Sequence, residues 1–130
     1  MRKITVFILL LLLTGCGSLT HNTELEKAIQ SVVKDEQNSE IPIESLANFV
    51  WDQAFLFSPY TTQEGIEEQM GVDYKDPSKL DLRDDIYLLV FLNDDQVVQY
   101  VEINRQQSDF SIGDKAYLTP SNASIKIQRN

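Results

Sequence analysis

Between Thr23 and Glu36 the apolar residues Leu25, Ala28, Ile29, Val32 and Val33 recur at three- and four-residue intervals. That spacing draws one stripe along a helix. Thr23 followed three positions later by Glu26 reads as a capping box, with Thr at the N-cap and Glu at N3. The predicted helix runs over 24–36, and Gln37-Asn38-Ser39 ends it. Ile41-Pro42-Ile43 is extended, because the residue before a proline is steered away from helical backbone angles. Phe49, Trp51, Phe55 and Phe57 then share one parity, interrupted by Gln53, while Val50, Ala54 and Leu56 hold the other. Residues 48–57 therefore read as a strand buried on one face and partly on both, with a helix over Leu46 to Trp51 as the alternative. Ser58-Pro59-Tyr60 turns the chain. Thr61-Thr62-Gln63-Glu64 repeats the capping-box pattern, and Ile66 with Met70 makes a short apolar edge. Gly71 suits the residue that closes a helix, so a second, short helix is expected over 62–70. Val72 to Asp85 is a charged connection punctuated by Pro77.

The strongest sheet signal follows. Ile86-Tyr87-Leu88-Leu89-Val90-Phe91-Leu92 is an unbroken apolar run, and Val97 to Ile103 returns after Asn93-Asp94-Asp95. The two runs predict a hairpin whose first strand is central. Arg105 and Asp109 flank its end and are placed to pair across a polar loop over 106–115. Ala123, Ile125 and Ile127 alternate with Ser124, Lys126 and Gln128, the pattern of an edge strand. The expected fold is α+β: an antiparallel sheet of three to four strands packed against one or two helices.

Composition narrows the function classes. The chain has 130 residues, 11 basic and 20 acidic, for a net charge of −9. A strongly acidic domain is repelled by phosphate backbones, so nucleic acid is not expected as a partner. Cys16 is the only cysteine, so no intrachain disulfide can form and stability must come from packing.

That cysteine directly follows the greasiest run in the chain. Met1-Arg2-Lys3 is a basic start, and Ile4 to Leu13 is apolar except for Thr5, too short to span a bilayer comfortably. Leu13-Thr14-Gly15-Cys16 resembles the bacterial lipobox: a Leu, two small residues and a Cys. The resemblance implies cleavage between Gly15 and Cys16 and lipid on the Cys16 sulfur, including acyl chains such as palmitate. Two or more chains, at about 0.8 kcal/mol per buried CH₂, anchor durably where one does not. Residues 1–15 are then the signal peptide, 16–22 the lipidated Cys16 and a tether, and 23–130 one α+β domain. With Gly17 after the cysteine, the outer membrane is expected in a Gram-negative cell. In a Gram-positive cell it is the outer leaflet of the plasma membrane.

Few residues are placed for catalysis. His21 is the only histidine and falls in the expected tether, which cannot place it for Ser-His-Asp catalysis. Zinc would need several His or Cys ligands, and Cys16 is taken, so neither a metal nor any cofactor is expected. Glu64, Glu67 and Glu68 read as a solvated helix face. Asp73, Asp76, Asp81, Asp84 and Asp85 lack the spacing and turn glycine of an EF-hand and read as loop solubility. One set merits attention: Trp51, Asp52, Phe55, Phe57, Tyr60 and Tyr74 either fill the core or line a recognition surface. Of these, Trp51, Asp52, Tyr60 and Tyr74 are the candidate binding residues.

The segment WDQAFLFSPYTTQEGIEEQMG followed by the DDIYLLVFL and VVQYVEI strands resembles small, poorly characterised lipoproteins of Gram-positive bacteria. That likeness spans most of residues 48–110 and implies no known activity. The expected function is a lipid-anchored, non-enzymatic binding or accessory module for a membrane-associated envelope protein. The alternatives are an envelope enzyme acting on cell-wall material through acidic residues, and an inhibitor or immunity-like protein.

Overall fold

The computed structural model describes residues 19–130; the expected signal peptide and the Leu13–Cys16 motif lie outside the described residues. The elements run β1 (Thr20–His21), α1 (Thr23–Lys34), β2 (Glu40–Pro42), α2 (Ile43–Leu46), β3 (Gln53–Phe57) and α3 (Gln63–Met70). A 3₁₀ turn at Leu80–Leu82 precedes β4 (Ile86–Asn93), β5 (Gln96–Asn104), β6 (Ser108–Ser111) and β7 (Ser124–Arg129). The class is α+β, with two sheets rather than one. A four-stranded sheet has the order β1-β5-β4-β3, and a three-stranded sheet the order β2-β7-β6.

The hairpin of β4 and β5 is the spine. Its turn uses Asp94 and Asp95, both at positive φ (54° and 62°), the backbone whose twist matches that of antiparallel strands. The register slips once, so that Leu92 faces Val97 while Phe91 faces Gln99. Val98 is the extra residue of a bulge. The apolar run of β4 is buried throughout, from Ile86 to Leu92, because both faces of this sheet are covered. On one face Tyr87, Leu89 and Phe91 pack with Leu25, Ile29 and Val33 of α1. Ile41, Phe110, Ile125 and Ile127 of the second sheet complete that core. On the other face Leu88, Val90 and Leu92 meet Ile66 and Met70 of α3, with Tyr74 and Leu80 from the connection after it.

Several expectations need correction. β3 is confined to Gln53–Phe57, and Ile43–Leu46 is a short helix; the stretch between is irregular, yet Phe49 and Trp51 still set their rings edge-on to Phe91. The polar stretch 106–115 contains β6, delivered by a second tight turn with Gln106 and Gln107 at positive φ. β7 is the centre of its sheet, not an edge; its alternation reflects one face on the core and one in water. Both main helices are capped one residue away from the expected position. Asn22 Oδ1 accepts the Leu25 N–H at 2.9 Å, and Thr62 Oγ1 accepts that of Gly65 at 3.1 Å. Gly71 does close α3, at φ 76°. The far end of α1 is held from a distance: Arg129 donates to the carbonyls of Val33, Asp35 and Asn38.

Candidate functional site

The first strand has only two residues, and it changes the reading of His21. Thr20 and His21 pair in parallel with Gln99 and Tyr100 of β5, and the next residue, Asn22, donates its N–H to the Tyr100 carbonyl at 3.1 Å. Thr20 and His21, expected in the tether, are therefore part of the sheet. The His21 ring lies flat on the Tyr100 ring, centroids 4.5 Å apart and planes 12° apart. Stacking fixes the imidazole where a loose tether would not.

The shifted cap of α1 matters here. With Asn22 as N-cap, Glu26 is released from the capping box and turns toward β5. Its Oε1 contacts His21 Nε2 and accepts the backbone N–H of Glu102 at 2.8 Å. That N–H lies on the side of β5 that β1 is too short to cover. Glu102 in turn takes a hydrogen bond from Arg83 Nη1 at 3.2 Å, while Arg83 forks onto both oxygens of Asp85 at 2.9 Å. His21, Glu26 and Glu102 thus present one imidazole and two carboxylates within 4.8 Å of one another.

The cluster is rich in negative charge. Two carboxylates, Glu102 and Asp85, share the guanidinium of Arg83, while Glu26 meets His21 and the Glu102 N–H instead. The Asp85 hydrogen bonds raise the Arg83 guanidinium further above its usual range, and the same contact holds the Asp85 carboxyl below the usual carboxylate range. Burial pushes the Tyr100 hydroxyl up, and the charges of Glu102, Glu26 and Asp76 push the same way. Tyr74 behaves alike: burial dominates, with Asp76, Tyr100 and Glu102 adding to it. Its hydroxyl is buried and makes no hydrogen bond among the described residues.

The four candidate binding residues do not form one surface. Trp51 is buried in the core beneath α1, and Tyr74 is buried on the opposite face of the sheet. Asp52 is exposed but accepts the Asp94 N–H at 3.0 Å, bracing the hairpin turn. Tyr60 alone projects, 60% exposed, with Leu82 of the neighbouring turn at 75%. Phe55 and Phe57 are core. Asp76, read as a solubilising residue, accepts the N–H groups of Ser78 and Leu80 at 2.9 and 2.8 Å and builds the 3₁₀ turn. The expected Arg105–Asp109 pair forms at 2.8 Å, and Tyr87 donates to the same carboxylate oxygen at 3.0 Å.

The His21 cluster escaped sequence reading because its members are 5 and 76 residues apart. The signal available was Glu102, a charge in the apolar alternation of β5 that shares a face with Tyr100. Comparison with protein-family models, curated proteins and solved structures finds no match to this chain.

Proposed function

We propose that the chain is a lipid-anchored binding module of the bacterial cell envelope that docks a membrane-associated protein. The Leu13-Thr14-Gly15-Cys16 motif supports the anchor. Cys16 precedes Thr20 by four residues, which span at most about 14 Å of extended chain. An anchored domain would then lie close against the lipid headgroups, and its acidic charge would keep it from adhering to an anionic surface. Tethering would raise its effective concentration beside a membrane partner.

The observation that carries the binding reading is Tyr60. A bulky residue at φ 68° is unusual in any fold. Here it is held there because its N–H meets the carbonyls of Leu80 and Arg83, at 3.1 and 3.2 Å. The turn so braced presents the Tyr60 ring and Leu82 to solvent. Exposed tyrosine on a rigid, strained support is a common contact residue.

The anchor is tested by growing cells with a tagged palmitate and partitioning the extract in detergent. The wild-type chain is expected to carry label and enter the detergent phase, and Cys16→Ala to do neither. An unlabelled wild-type chain in the aqueous phase would refute the anchor. A labelled chain whose Tyr60→Ser, Leu82→Ser variant keeps every envelope contact of the wild type would refute the docking surface.

A further inference from the structure

We propose that His21, Glu26 and Glu102 form a binding site for one zinc-class divalent cation. The inference goes beyond the anchoring reading and does not depend on it. The donor atoms already lie within 4.8 Å of one another, and they come from three separate elements: β1, the first turn of α1, and β5. One imidazole nitrogen with two carboxylate oxygens is a borderline donor set that suits first-row divalent ions, zinc above all. Three protein ligands leave a fourth position for water.

The site is also oriented in advance. Stacking on Tyr100 fixes the His21 ring. The Glu102 N–H holds Glu26 Oε1, and Arg83 holds Glu102 through Oε2. Such outer contacts orient metal ligands in established sites. Charge argues in the same direction. Glu26 and Glu102 bring two carboxylates to the site, and the neighbouring guanidinium of Arg83 is divided between Glu102 and Asp85. Tyr74 Oη, buried and without a partner among the described residues, and the Tyr100 hydroxyl lie in the field of these carboxylates.

Binding requires a simple proton rearrangement. Nε2 of His21 contacts Glu26 Oε1, and a hydrogen bond there needs the proton on Nε2, because a carboxylate only accepts. Nε2 offers its lone pair to a cation only when the neutral ring carries its proton on Nδ1. The ion therefore takes the place of the Nε2–Oε1 hydrogen bond. It would tie β1 and the start of α1 to β5.

The test uses the full-length chain in detergent, with Cys16→Ser so that no free thiol competes. After chelator treatment, zinc is added and binding is read by calorimetry and by elemental analysis, with calcium and magnesium as comparison ions. One zinc per chain is expected, with a rise of several degrees in Tm and no comparable response to calcium or magnesium. His21→Gln and Glu102→Gln should each weaken zinc at least tenfold, and Glu24→Gln on the exposed side of α1 should not. His21 being the sole histidine, nitrogen NMR of its ring gives a second readout without mutation. Zinc should move the Nε2 resonance and leave the proton on Nδ1. Absence of stoichiometric zinc, binding unaltered by His21→Gln, or an unmoved Nε2 resonance would each overturn the proposal.

Discussion

The two faces of the four-stranded sheet are covered in different ways. Beneath α1 and the second sheet, the core is closed by regular elements whose ends are tied down. Asn22 caps one end of α1 and Arg129 gathers the carbonyls at the other. On the opposite face the cover is an eight-residue helix and an irregular connection. That connection carries the buried hydroxyls of Tyr74 and Ser78, which have no hydrogen-bond partner among the described residues, the left-handed backbone of Lys79, and the neighbouring strained Tyr60. One face is built for stability. The other tolerates unsatisfied groups and strain, the features that proteins concentrate where they bind.

The largest expected effect lies on the closed face. Phe91 is fully buried and meets Phe49 and Trp51 edge-on. Phe91→Ala should cost about 3–5 kcal/mol of unfolding free energy. Met70→Ala, at the end of α3 on the other face, should cost about 2 kcal/mol, the low end for such truncations. Urea unfolding of both variants measures the gap, and equal losses would break the distinction between the faces.

Arg129→Ala should cost about 1–2 kcal/mol, since an exposed side chain gains less from its three carbonyl contacts than a buried one. Amide exchange should quicken in the last turn of α1 before any change reaches α3. Tyr74→Phe should act in the opposite direction. It removes a buried hydroxyl that has no partner among the described residues, so a gain of about 1 kcal/mol is expected. A loss would mean that Tyr74 Oη has a partner in solution.

The smallest effect is a pH dependence with a definite sign. Tyr74, Tyr87 and Tyr100 are all raised above 10.0, chiefly by burial. Their contribution is complete below the unfolded-state pKa of about 10 and is lost as pH rises above it, because only the unfolded chain then sheds these protons. The urea midpoint should therefore fall between about pH 9 and pH 11, and Tyr74→Phe should fall less steeply than wild type.

Local pattern carried most of the fold. The hairpin, both main helices and β7 were legible because each has an unbroken period and a recognisable end. β6 was not, since Ser108–Ser111 offers a single buried aromatic and a turn built from two glutamines, residues that seldom adopt positive φ. The two capping errors share a cause: adjacent Asn22 and Thr23, or Thr61 and Thr62, are equally good caps, and only the packing of the stripe chooses between them. For α1 the one-residue shift had a structural consequence, because it frees Glu26 to meet His21 and Glu102. The aromatic set divided as it did because Trp51 and Tyr74 bury large apolar area on opposite faces, while Tyr60 sits on a turn with nothing above it. No periodicity encodes that difference.

The most direct test of the account places a photo-crosslinking amino acid at position 60 or at position 126 in living cells. Lys126 is exposed on the outer face of β7, beyond the closed core. A single envelope-protein adduct from position 60, lost with Cys16→Ala and not formed from position 126, is the predicted result. No adduct from position 60, or the same adducts from both positions, would contradict the assignment of binding to the open face.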